Sequence, residues 1–538
     1  MSVAAAEHPL HTGAGVAAPA PQLTLFGLDY KWTVFICTVF GTFMIFLDST
    51  IVNIALPKII AVFGVSVSEA QLVITAYLLA AAVVIPAAGY SGDTLGTKRL
   101  FLLTLTLFTA GSALCAIAWN NPSLVVFRVI QGLGGGMMMP LATTMLYKVV
   151  PPAERNAIMG LYAMPVVVAP VLGPTIGGYL VEYVNWQSIF VLNVPIGIIG
   201  AALGWMFLRE SERTPGLRFD VLGFVLSGIG FSGLLLGLTD APSDGWTAPH
   251  ILLRFGIGLV ALAAWVLVEL TTEQPLLEVR LFTYPAFSLG MVVNFVLTAG
   301  LFGSQLLIPF FLQTYRGLGA AETGLITMFS AMPMLVLMPL VGRLQDRIGL
   351  RRLFLVGMPL VALTTLMLAA LDLNLPDNTL RLLLVLRGAA MGLVIMPAFT
   401  ASINAAPMQL LSRASSMSNV ARQLFGSFGV AIVVTILSNR ATYHVAMLGQ
   451  TVTPDNIVLR QMLLATQQFV VQQGASAAQA QAVATTMLQR YLGLTAATMA
   501  VDDVFRVAAL TTLLAVVPAL FLRSQTPAGA SAPKPVLE

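Results

Sequence analysis

The chain has 538 residues, 57% of them hydrophobic and only 9% charged, with a mean hydropathy of +0.88 and a formal charge of +4. Soluble domains carry roughly a quarter charged residues, so this chain cannot cover itself with a water-facing surface, and lipid is the alternative solvent. The small, dispersed charge argues against a nucleic-acid partner, and two isolated cysteines with four scattered histidines argue against a disulfide framework or a metal site.

Residues 1–30, rich in Ala, Gly and Pro, read as a flexible cytoplasmic tail rather than a signal peptide. Apolar stretches long enough to cross a bilayer then recur almost end to end. They do not alternate as barrel strands would, so the expected fold is an all-α polytopic membrane protein. Hydropathy places about fourteen transmembrane helices near 32–56, 69–90, 98–118, 123–147, 156–181, 188–208, 219–239, 250–271, 285–314, 321–342, 351–371, 379–405, 414–437 and 503–523. The expected organisation is a six-helix bundle over 31–208, two inserted helices within 209–280, and a second six-helix bundle over 281–525, followed by a tail over 526–538. A long outer loop at 439–502 carries Leu463, Leu464, Phe469 and Val470 at helical intervals, so amphipathic helices are expected there. Basic residues concentrate in one set of alternate short loops, from Lys98 and Arg99 to Arg413. By the positive-inside rule that set, with both termini, faces the cytoplasm.

A motif occurs twice. Gly89, Asp93 and Gly96 are followed by Lys98 and Arg99; Gly342, Asp346 and Gly349 are followed by Arg351 and Arg352, with Arg347 between. After each copy comes an arginine with following glycines and a Met-Pro pair: Arg128 with Met139 and Pro140, then Arg387 with Met396 and Pro397. The ordered pair implies a duplicated helical unit around a central cavity, the architecture of many secondary transporters. Asp93 or Asp346 is expected to cap a helix N-terminus. Lys98, Arg99, Arg347 and Arg351 are expected to pair across the halves as a cytoplasmic gate.

A charge inside a spanning helix is costly and asks for a reason. Asp48 in the first helix and Arg128 in the fourth both fall in the outer half of the membrane and could share a cavity. A carboxylate there, pushed one way by desolvation and the other by a nearby cation, is suited to taking up and releasing protons. The alternative is a fixed ion pair that locks two helices. Asn53, Tyr77, Gln131, Asn294, Gln305 and Arg422 are further polar residues in spanning segments and candidates for a substrate cavity. No second buried carboxylate stands out in the later helices, which favours neutral, zwitterionic or anionic substrates over divalent cations. Gly173, Pro174, Gly177 and Gly178 make the fifth helix pliable and closely packed. Neither a phosphate-binding loop nor a catalytic constellation is present, so no enzyme activity or cofactor is expected, and an ion gradient is the expected energy source.

Together these motifs resemble the major facilitator superfamily, and within it the fourteen-helix drug:proton antiporter branch of EmrB/QacA type. The segment from Leu47 to Pro57 is similar to that branch's first-helix signature, and the Gly89–Arg99 segment to the superfamily's loop motif. Arg128 with Gln131, Gly132 and Gly134 resembles the fourth-helix motif; Gly173 to Gly178 resembles the fifth-helix motif of antiporters. Trp186, Phe190, Asn193, Pro195 and Gly197 also fit, as do Arg413, Ser415, Asn419, Arg422 and Gln423. The resemblance implies export of drugs or other amphipathic small molecules from the bacterial inner membrane against a proton gradient, with Asp48 and Arg128 in proton coupling. The stretch before the last helix, ending near Asp503 and Phe505, resembles members that partner with a periplasmic membrane-fusion protein and an outer-membrane channel. Gln71, Ala169, Gln187 and Val501 depart from the branch's usual residues and bear on substrate range. Two other readings are a narrow-specificity metabolite or siderophore permease and a non-transporting receptor.

Overall fold

A helix is stable in hydrocarbon because it pairs nearly all of its backbone polar groups within its own segment, and this chain uses nothing else. The computed structural model describes residues 27–522 except 212, 215, 217, 372–374 and 451–456, with the side chains of 67–68, 301–306, 320, 408 and 457–459 also outside the description. Every regular element among the described residues is helical. The first bundle comprises α1 (Tyr30–Phe63), α2 (Val67–Val84), α3 (Ala87–Leu95), α4 (Thr97–Ala116), α5 (Asn121–Val149), α6 (Arg155–Tyr162), α7 (Met164–Tyr183), α8 (Ser188–Val191) and α9 (Asn193–Phe207). An inserted hairpin follows, α10 (Val221–Asp244) and α11 (Pro249–Thr271). The second bundle comprises α12 (Pro285–Phe310), α13 (Ala320–Ile348), α14 (Leu350–Met367), α15 (Asp377–Asn404), α16 (Leu411–Gly449), α17 (Ile457–Gln472), α18 (Ala477–Leu514) and α19 (Val516–Leu520).

Twelve of the described helical stretches are long and apolar enough to cross a bilayer, and α2 with α3, bent by 57°, makes a thirteenth. The 26-residue α12 occupies the place of the remaining expected span. Several spans are broken at proline or between short segments: Pro86 separates α2 from α3, and α6 with α7 forms one span. The two bundles meet along α6 and α7 against α13 on one side, and along α3 and α5 against α16 on the other. The hairpin helix α10 packs on both α2 and α16, lying over the second seam.

The duplication is visible in the backbone. Gly96 and Gly349 each precede the next helix with nearly the same conformation (φ 92° and ψ 140°; φ 83° and ψ 153°), a region that side chains with a Cβ avoid. Gly89 and Gly342 both lie where the bundles touch, Gly89 against Ser412 and Ser416, Gly342 against the Asn156 backbone. The described N-terminus sits at this same end, where the Tyr30 hydroxyl accepts from the Arg209 N–H and Lys31 pairs with Glu154.

The region leading to the last span differs from the expected boundaries. Instead of ending near 437, α16 runs on to Gly449, and the last span is the tail of a helix that begins at Ala477. At 39 and 38 residues these helices reach roughly 57 Å, far beyond a hydrocarbon core of about 30 Å. The extension is secured where Asp503 of α18 meets three partners: His444 at 2.7 Å, Arg440 at 2.5 Å and Arg506 at 3.2 Å. Asp502 accepts from the Leu371 N–H at 3.2 Å.

Candidate functional site

The first bundle closes around one ion pair. Arg128 of α5 meets Asp48 of α1 at 2.6 Å, with each side chain 1% exposed. The other carboxylate oxygen accepts from Gln131 at 2.9 Å and from Asn193 at 3.0 Å. Arg128 also donates to the Gln131 amide oxygen at 2.7 Å and to the Val73 carbonyl at 3.2 Å. Its guanidinium lies 4.2 Å from the centre of the Tyr77 ring. Asn193 continues the network to Ser112 at 3.2 Å, and Ser112 donates to the Phe190 carbonyl. Helices α1, α2, α4, α5, α8 and α9 thus converge on one network built around this carboxylate.

That convergence needs thin helices. A Cβ on Gly132 would lie 2.6 Å from the Tyr77 carbonyl oxygen, and one on Gly134 would lie 2.5 Å from the Phe108 nitrogen. The glycine run of α5 therefore lets α2 and α4 press against it from two sides, drawing Arg128 into a space too dry for an unpaired charge. Gly173 and Gly177 serve α7 in the same way against Thr50 and Ile51 of α1, with Pro174 between and Gly178 half-buried beside them.

The remaining expected site residues separate into groups. Tyr77 and Gln131 belong to the sealed network rather than to an open cavity. Asn53 is exposed and donates to the Ser49 carbonyl at 2.8 Å. Asn294 is buried on α12 and accepts from Thr298 at 2.7 Å. Gln305 lies outside the described side chains. Arg422 of α16 reaches across the seam between the bundles to the Met139 sulfur at 2.6 Å, donates to Asn419 at 2.8 Å and lies 4.9 Å from the Phe399 ring centre.

The loop residues correct two expectations. Asp93 and Asp346 cap no helix, because α4 and α14 begin at glycines without a side-chain cap. Asp93 instead meets Lys148 at 3.3 Å and accepts from Ser412 at 3.5 Å, and Asp346 accepts from Asn156 at 2.6 Å. The expected pairing of cations across the halves is also not what the structure shows for Lys98 and Arg99. Lys98 donates to the Trp205 carbonyl and Arg99 pairs with Glu210 at 3.4 Å, both within the first bundle. The described contacts of these loop residues across the seam fall to the acidic ones, Asp93 with Ser412 and Asp346 with Asn156. No described ion pair includes Arg347 or Arg351.

The expectation of no second buried carboxylate is likewise corrected. Glu269 is 1% exposed, accepting from Trp265 at 2.9 Å and from the Leu277 N–H at 3.3 Å. Glu278 is 6% exposed and pairs with Arg413 at 3.0 Å, fastening the connection between α11 and α12 to α16. Glu269 escaped notice because it sits at the edge of an apolar run, where a carboxylate reads as a boundary residue. Asn193 was legible as part of a motif, though nothing in its spacing pointed to Asp48.

With this geometry in hand, comparison with known proteins is decisive. Residues 38–430 match the model of the Major Facilitator Superfamily, and the chain belongs to that family of membrane transporters. It is 33% identical over 484 residues to the uncharacterized MFS-type transporter YhcA of Bacillus subtilis, covering 90% of this chain and 91% of YhcA. It is 32% identical over 419 residues to the multidrug export protein EmrB of Escherichia coli, covering 77% of this chain and 82% of EmrB. In fold it is similar to the solved proton:xylose symporter XylE, at 14% identity and a TM-score of 0.59 over 92% of this chain and 96% of that one.

Proposed function

We propose that this transporter is an antiporter that carries amphipathic small molecules out across the bacterial inner membrane in exchange for protons. The observation that carries the reading is the Asp48–Arg128 pair, sealed where six helical segments converge, in a chain related to a multidrug exporter. A buried carboxylate held by a guanidinium and two amides has two distinct states. Ionised, it binds Arg128, Gln131 and Asn193 together; protonated, it no longer compensates the Arg128 charge, and its neighbours must rearrange. The same α5 carries Met139 and Pro140 about 16 Å from Arg128 along the helix, where they meet Arg422 and Ser415 of the second bundle. Protonation at Asp48 thus reaches the seam through one continuous helix.

The end bearing the paired loops is the cytoplasmic face, and Asp93 with Ser412 and Asp346 with Asn156 form its gate. The extension of α16, α17 and α18 faces the periplasm, where it offers a surface to a membrane-fusion partner of a tripartite system. The test is substrate-induced proton release from inverted vesicles holding an imposed pH gradient. Wild type is expected to discharge the gradient with some amphipathic compounds, and Asp48→Asn with none. Equal coupling in both would move the proton site elsewhere.

A further inference from the structure

We infer that Arg422 is the receptor for the negative charge of the transported molecule, so that the substrates of this site are amphipathic aromatic anions. The inference rests on the exporter reading above and names its substrate class. Arg422 lies about 16 Å from the start of α16, and Met139 about 15 Å from the nearer end of α5. Both are close to the midplane of a core about 30 Å thick. A guanidinium has five donors, yet its described hydrogen-bond partners are one neutral amide oxygen and one thioether sulfur, a weak acceptor. Among the described residues no ion pair includes Arg422, whereas Arg128, Arg254, Arg316 and Arg413 each have a carboxylate.

The acids that could have served are already held. Asp48 is bound by Arg128, Glu278 by Arg413, and Glu269 by Trp265 and the Leu277 N–H. A fixed cation at this depth is costly without an anion, and transport proteins place such charges on substrate paths. Arg422 is also only half-buried as a residue, and it sits at the seam between the bundles. Around it are the Phe399 ring from α15 and, within electrostatic reach, the Tyr162 hydroxyl, which shares a 2.6 Å hydrogen bond with Thr42. One turn along α16, Phe425 packs edge-on against Phe295 at 4.8 Å. A planar aromatic acid would set its carboxylate against the guanidinium fork and its ring against these faces.

The test uses three probes of one scaffold: 2-naphthoate, 2-naphthamide and 2-naphthylmethylammonium. Binding to the purified full-length protein is followed by its tryptophan fluorescence, and discharge of a pH gradient in inverted vesicles is corrected for leak in protein-free vesicles. Naphthoate is expected to bind about tenfold or more tightly than the other two. Arg422→Gln should weaken naphthoate by a similar factor and leave the amide unchanged, with Arg422→Lys between. Tighter binding of the ammonium probe, no binding of naphthoate, or equal naphthoate affinity in Arg422→Gln would overturn the assignment. Should Arg422→Gln fail to fold, the wild-type ranking and Arg422→Lys still decide it. Naphthoate binding through Arg422 without discharge of the gradient would uphold the anion site and sink proton antiport. Discharge by the ammonium probe alone would do the reverse.

Discussion

Arg128 in the first bundle and Arg422 in the second both place a permanent charge inside a membrane-spanning helix, and their surroundings could hardly differ more. Arg128 is 1% exposed and meets a carboxylate, an amide oxygen, a backbone carbonyl and an aromatic face. Arg422 is half-buried at the seam, with a thioether, one amide and the Phe399 ring but no carboxylate. The first bundle satisfies its charge internally and becomes a closed electrostatic unit. The second leaves its charge at the interface, where no described carboxylate meets it. In a low-dielectric interior an unpaired charge is expensive, so the two arrangements imply different consequences for substitution.

The largest effect is expected when the sealed pair is broken on one side. Arg128→Leu leaves Asp48 buried without its cation and should cost about 3–5 kcal/mol, read as a large fall in thermal unfolding temperature or loss of folded protein. Adding Asp48→Leu should restore most of that stability while abolishing proton coupling; a double variant no more stable than the single would show that the pair is not what holds the bundle.

Next in size is the close approach that creates the seal. Gly132→Leu must push α2 from α5 and is expected to cost about 1–3 kcal/mol or more, whereas Gly449→Ala, with open space around it, should stay within about 0.5 kcal/mol. Similar losses at both positions would deny α5 its special packing.

Arg422→Gln sharpens the contrast in the other direction. Removing a cation that has no ion partner is expected to change stability by less than about 1 kcal/mol, or to raise it, in the same unfolding assay. A loss as large as that of Arg128→Leu would mean that Arg422 is a structural residue after all.

An effect of similarly small size is expected at the end where the bundles touch. Asn156→Ala removes a 2.6 Å hydrogen bond to Asp346 and should weaken closure by about 0.5–1.5 kcal/mol. The readout is faster maleimide labelling of a cysteine placed at Ser412, against the buried native Cys37 and Cys115. Unchanged labelling would show that this bond does not hold the end shut.

Much of the molecule was readable in advance because lipid imposes so simple a rule. Length and apolarity set the spans, and the repeat of Gly89, Asp93 and Gly96 in Gly342, Asp346 and Gly349 showed two halves. A charge within an apolar helix marked Asp48 and Arg128 as residues that could share one cavity, with a fixed ion pair as the alternative. Hydropathy was less able to say where a helix ends once it leaves the membrane. For that reason α16 and α18 run past the expected boundaries, and the cluster of Asp503, His444, Arg440 and Arg506 was not foreseen.

What the sequence determined by itself is therefore the class of structure, the span pattern, the duplication and the two charged residues, Asp48 and Arg128, that the spanning helices must account for, since each follows from local composition or from the cost of a charge in hydrocarbon. Only the tertiary structure decided that Gln131 and Asn193 share the Asp48 carboxylate and that Tyr77 lines a seal rather than a cavity. It also decided that Asp93 and Asp346, not the adjacent cations, reach the opposite bundle, and that Arg422 has no acid of its own. These depend on which faces of distant helices meet, and the meeting is set by glycine-permitted close packing that linear spacing does not encode.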